Sequence, residues 1–153
     1  DLGASDLTPL ASGLYEVSRV IRNETSRNRE TQPVLIIISD GITNIPLESP
    51  LNPHTRSNYL NNAQADVIDV SHLLKKMKVT TLVINPSHEP PNDTIKKGAQ
   101  KTANKTGKKW LEPTELMMEI PRITGGYYYG IGKGGSLEEV ILSEAFSILG
   151  DRL

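Results

Sequence analysis

Val34-Leu35-Ile36-Ile37-Ile38-Ser39-Asp40-Gly41 decides how the 153-residue chain is read. Five consecutive aliphatic residues leave no polar face, the pattern of a strand covered by helices on both sides of its sheet. The stretch is therefore expected to be a central parallel strand. Its end carries the chemistry: Ser39 and Asp40 emerge where the strand stops, and Gly41 permits a sharp turn. Ligands of open α/β sheets sit outside the carboxyl ends of the strands, which marks Asp40 as a functional candidate. An Asp-Gly turn also forms without any ligand, and both readings stand at this point.

Outward from that strand, helical and extended patterns alternate. Upstream, Thr8-Pro9 reads as a helix start, with Thr8 as N-cap and Pro9 in the first helical position. Leu10, Leu14, Val17 and Ile21 follow as one apolar seam. Downstream, residues 42–62 form a long loop at the ligand end, broken by Pro46, Pro50 and Pro53. A second helix is predicted from Ala63, with Ala63, Val67, Val70, Leu74 and Met77 inward and Asp69, His72 and Lys76 outward. A β-branched strand follows at 79–85. Residues 86–112 interrupt the rhythm with a Lys-rich insertion. Six lysines (Lys96, Lys97, Lys101, Lys105, Lys108, Lys109) fall there without an acid among them, read as a solvated insertion anchored by Trp110. A short helix at 113–123 carries Leu116, Ile120 and Ile123, and Gly125-Gly126 ends it. A strand at 127–131 and an amphipathic helix at 136–149 close the chain, with at least one of Tyr127, Tyr128 and Tyr129 expected to be buried.

The alternation predicts one α/β domain over residues 1–153, a three-layer sandwich around a parallel sheet. Three strands are few for so apolar a centre, so further strands N-terminal to Asp1 are expected. Composition bounds function. A net charge of −1 gives no field for nucleic acid, and the absence of cysteine rules out thiolate chemistry and disulfides. No apolar run approaches the ~20 residues that span a bilayer, so a cytoplasmic location is the default expectation.

Thr8 and Asp40 form a hard oxygen pair suited to Mg²⁺. Thr8-Pro9-Leu10-Ala11-Ser12-Gly13-Leu14, the Ser39-Asp40-Gly41 turn, Asn44, and the Gly125-Gly126-Tyr127-Tyr128 opening of the last strand together resemble the von Willebrand factor type A domain. More narrowly, they resemble its version at the C-terminal end of the D subunit of magnesium and cobalt chelatases. The resemblance spans almost all of this chain and about the last two-thirds of such a domain. It implies a Rossmann-like fold and a metal-ion-dependent adhesion site in which Thr8 supplies the second-loop ligand and Asp40 the third-loop ligand. It also implies Mg²⁺-dependent protein–protein contact with an AAA+ ATPase subunit and a large tetrapyrrole-binding subunit, supporting ATP-driven metal insertion into a tetrapyrrole. The first motif of that site, Asp-x-Ser-x-Ser, is absent. Residues 1–5 (Asp-Leu-Gly-Ala-Ser) lack its middle serine.

A reading from another class is a dinucleotide- or phosphate-binding enzyme. Gly130, Gly132 and Gly135 satisfy G-x-G-x-x-G between a strand and a helix. The motif lies at the last strand rather than at the first βα turn, and Lys133-Gly134 breaks a Walker pattern. A metal-free, purely structural type A domain is the third reading. His54, His72 and His88 do not converge in sequence, and no nucleophile-elbow motif accompanies Ser39.

Overall fold

The computed structural model describes residues 8–28, 30, 32–52, 59–87, 111–131, 136 and 138. Among them the chain runs α1 (Leu10–Arg27), β1 (Val34–Ile38), α2 (Tyr59–Lys76), β2 (Thr80–Asn85), α3 (Pro113–Thr124) and β3 (Tyr127–Gly130). The strands pair in parallel in the order β1-β2-β3. Val34 stands opposite Thr80, Ile38 opposite Ile84, and Asn85 opposite Gly130. The result is the small parallel α/β fold that the alternation predicts.

Among the described strands the Val34 strand has a neighbour on one side only. Among the described residues β2 lies in the middle and β1 at an edge. Thr81, Leu82, Val83, Ile84 and Asn85 are all buried, whereas Val34, Ile36 and Ile38 remain 36%, 45% and 50% exposed. Unbroken apolarity marks a strand fit for burial on both faces, but it does not rank strands within a sheet. Here the wholly apolar β1 is the more exposed strand, and β2, with Leu82-Val83-Ile84 between polar ends, is the buried one.

Alternation sends Leu35, Ile37, Val83 and Tyr128 to one face. There they pack with Leu14 of α1, Val67, Val70 and Leu74 of α2, and Leu116, Met117 and Ile120 of α3. All three helices thus cover the same side. Crossovers of one hand that advance in one direction across a sheet place their helices on one face. The opposite face holds a smaller cluster of Leu82, Ile84 and Ile131, with Tyr129 packed against it.

Local chemistry adjusts the predicted boundaries. Helix α1 starts one residue late: Pro9 is the N-cap, with no side-chain cap bond, and its carbonyl accepts from Gly13 N at 3.1 Å. The predicted cap, Thr8, is held in the loop by Asn44. The buried line of α1 is Ala11, Leu14 and Ser18, with Val17 only half-buried. Ser18 is tolerated there because its hydroxyl donates to Tyr15 O at 2.6 Å. Helix α2 begins at Tyr59, a turn before Ala63. Asn61 and Asn62 are weak helix formers and obscure that first turn. Its seam of Ala63, Val67, Val70 and Leu74 is buried as predicted, while His72 and Lys76 face solvent.

Helix α3 opens with a capping box between Glu112 and Glu115 and ends on Gly125 at φ 81°. Gly126 is required for a different reason. A Cβ there would run into the carbonyl oxygen of Thr81 on β2. None of the three tyrosines of β3 is fully buried: Tyr127 is exposed, and Tyr128 and Tyr129 are half-buried on opposite faces. A four-residue strand beside an already covered neighbour leaves ring edges open at its margin. The predicted helix at 136–149 lies outside the described residues apart from Ser136 and Glu138, as do the six lysines and Trp110.

Candidate functional site at the carboxyl end of the sheet

Two loops meet where the strands end. Thr8 N donates to Asn44 Oδ1 at 2.7 Å, and Asn44 N donates back to Thr8 O at 3.3 Å. The asparagine side chain thereby acts as a short backbone surrogate and ties the segment before α1 to the segment after β1. Thr43 Oγ1 donates to the same Thr8 carbonyl at 3.4 Å. All these contacts use the Thr8 main chain. Its hydroxyl makes no hydrogen bond among the described residues.

Asp40 is half-buried, and its Oδ1 accepts from Ile42 N at 3.0 Å in an Asx turn. Its other carboxylate oxygen has no partner among the described residues. Ser39 Oγ accepts from Gly41 N at 3.2 Å, and Ser39 N donates to Ile84 O, so Ser39 closes the strand end. Gly41 sits at φ 84° against Pro113, at the start of α3. A Cβ there would strike the Pro113 carbonyl and the Met117 side chain. The turn carrying Asp40 is therefore wedged against α3 and cannot drift.

The structure thus places Thr8 and Asp40 on adjoining, mutually tied loops, and no hydrogen bond joins the two residues directly. Two oxygen donors of this kind suit Mg²⁺, which retains several waters and takes few protein ligands. Among the described residues no group of three or more His, Asp or Glu is placed to hold a metal ion. Residues 1–5 lie outside the described set, as do His54 and His88, while His72 projects from the outer side of α2. Gly130 ends β3 opposite Asn85, and Gly132 and Gly135 lie outside the described residues.

Three polar side chains that support these loops escaped the sequence reading. Asp66 is fully buried, and its Oδ2 accepts from Leu47 N at 2.8 Å, fastening the 42–52 segment to α2. Its signal was available, since Asp66 falls on the apolar face between Ala63 and Val70. Gln64 brackets Leu111 from both sides: Nε2 donates to Leu111 O at 2.6 Å, and Oε1 accepts from Leu111 N at 3.0 Å. Asn85, fully buried at the end of β2, accepts from Ser87 N at 2.9 Å through Oδ1. Its Nδ2 has no hydrogen-bond partner. Tyr128 lies near that amide. Burial raises the Tyr128 phenol above the usual tyrosine value, and the Asn85 side chain opposes this to a smaller extent. Burial prevails.

No described helix is long and apolar enough to cross a membrane. Comparison with protein-family models, curated proteins and solved structures finds no match to this chain.

Proposed function

We propose that this chain is a Mg²⁺-dependent protein–protein interaction domain of the type A class, belonging to a chelatase D-like subunit. One observation carries the reading. The Thr8–Asn44 bonds bring two loops together at the carboxyl end of a parallel sheet and leave the Thr8 hydroxyl and one Asp40 oxygen without protein partners among the described residues. When bound, Mg²⁺ supplies a positive bridge to a carboxylate on a partner. Thr8 contributes a neutral oxygen and Asp40 a charged one, and the Asx turn at Ile42 restrains the Asp40 carboxylate. The partners in this reading are an AAA+ ATPase subunit and a large tetrapyrrole-binding subunit, so that docking supports ATP-driven insertion of a metal into a tetrapyrrole. The domain itself breaks no bond. Its finer architecture is a three-layer sandwich whose sheet continues beyond β1, the edge strand among the described residues, and whose third layer covers the exposed row Val34, Ile36 and Ile38 on the face opposite the three helices.

Isothermal titration with MgCl₂, on this chain and on a version extended N-terminally through a first strand, tests the reading. Binding that is lost in Thr8→Ala and in Asp40→Ala, with circular dichroism unchanged, is the expected result. Failure of the folded, extended protein to bind Mg²⁺ would leave the metal-free structural domain, which the lack of a three-residue acidic or histidine cluster among the described residues favours.

A further inference from the structure

Beside the Thr8–Asn44 tie, the first turns of α1 and the 45–49 segment enclose an open cleft of about 470 Å³. That volume lies within the ~300–1,000 Å³ range of ligand sites. Tyr15, Pro46 and Leu47 make its apolar wall, and Glu16 and Glu48 contribute one exposed carboxylate from each side. Among the described residues no lysine or arginine lines it. Glu48 has no hydrogen bond or ion pair among the described residues. Among the described residues Glu16 is engaged by Arg19 alone, at 3.0 Å, in a pair whose side chains are both 63% exposed. Such exposed pairs are weakly held and exchange readily for a better-placed cation.

We propose that this cleft receives an extended, arginine-bearing segment of a partner protein. The acidic walls repel phosphate and carboxylate ligands and attract a cation. A guanidinium suits the site better than an ammonium, because its planar fork pairs with carboxylate oxygens two at a time and stacks on an aromatic ring such as that of Tyr15. The apolar wall of Pro46 and Leu47 receives aliphatic or proline neighbours of that arginine. The inference is separate from the Mg²⁺ reading, since neither glutamate is a ligand in it.

Fluorescence anisotropy of the whole chain tests this with a fluorescein-labelled Gly-Pro-Leu-Arg-Pro-Leu-Arg-Gly peptide and its twin carrying citrulline at both arginines. The arginine peptide should bind about tenfold more tightly at low salt, and the difference should shrink as added salt shortens the Debye length below about 5 Å. Glu16→Gln with Glu48→Gln should weaken binding at least fivefold. Ser12→Trp, which narrows the cleft without changing charge, should weaken it as well, while circular dichroism confirms a native fold in each variant. Binding should persist in EDTA. Equal affinity for the two peptides, undiminished binding by natively folded Ser12→Trp, or loss of binding in EDTA would each overturn the proposal, the last by moving recognition to the metal site.

Discussion

Gly41 and Gly13 show how differently one residue type is constrained by its surroundings. Gly41 holds φ 84° with the Pro113 carbonyl where a side chain would go, and Gly13 lies in α1 with open space around it. Gly41→Ala should therefore cost about 2–3 kcal/mol through strain and steric conflict. Gly13→Ala should stabilise by roughly 0.5–1 kcal/mol, by helix propensity alone. Urea denaturation of the two variants reads both signs. Tyr128 supplies a pH test. Its phenol is raised by burial, so the folded state keeps the proton after the unfolded chain has begun to lose it. The stability tied to the neutral ring is complete below the ordinary tyrosine pKa of ~10 and is lost as pH rises from there through the higher folded value. The fall in urea midpoint above about pH 10 should be shallower in Tyr128→Phe than in the parent.

Side-chain amides fasten the elements to one another, and their removal separates architecture from ligand chemistry. Asn44→Ala removes the side-chain half of the tie, the acceptor of Thr8 N, and keeps the backbone half from position 44 N to Thr8 O, without touching either proposed ligand, Thr8 or Asp40. It should cost about 1–2 kcal/mol and weaken Mg²⁺ binding in titration calorimetry, whereas Asn44→Asp, which keeps the acceptor, should retain part of both. Gln64→Leu leaves the Leu111 N–H and carbonyl without their side-chain partner and should cost about 2 kcal/mol by urea denaturation. The elements themselves were legible in advance, because the seam from Ala63 to Leu74 and the branched run of β2 each follow one period. The fasteners were not. Asp66 occupies a position that periodicity assigns to an apolar residue, and Gln64 finds its partner 47 residues away, beyond any local pattern. Thr8 and Asp40 were readable as candidates because they flank predicted elements. That Asn44 ties their loops together follows only from the folded chain.

For the molecule as a whole, the main surprise is the sidedness of the sheet. The three described helices share one face, while Val34, Ile36 and Ile38 of β1, on the opposite face, stay exposed. Sequence periodicity records how apolar a strand is, but the order of strands depends on which crossover each helix makes, and that information is not local. An exposed aliphatic row on the open face of the sheet, on a chain of net charge −1, invites association. Ile36→Thr together with Ile38→Thr should lower the sedimentation-weighted mass at high concentration, while the urea midpoint shifts by no more than about 1 kcal/mol. An unchanged mass distribution would show that this row is not adhesive.

The bracketing of Leu111 by Gln64 has a consequence for how such a chain can change over time. With Ser87 pinned to Asn85 on one side and Leu111 pinned to α2 on the other, the register of β2 and the start of α3 are set by their own contacts. Were the joining chain a flexible loop, its length would add ~0.6 kcal/mol of closure entropy per doubling. A change of chain length between Ser87 and Leu111 should therefore leave the register of β2 and the start of α3 in place, because each is held by contacts of its own.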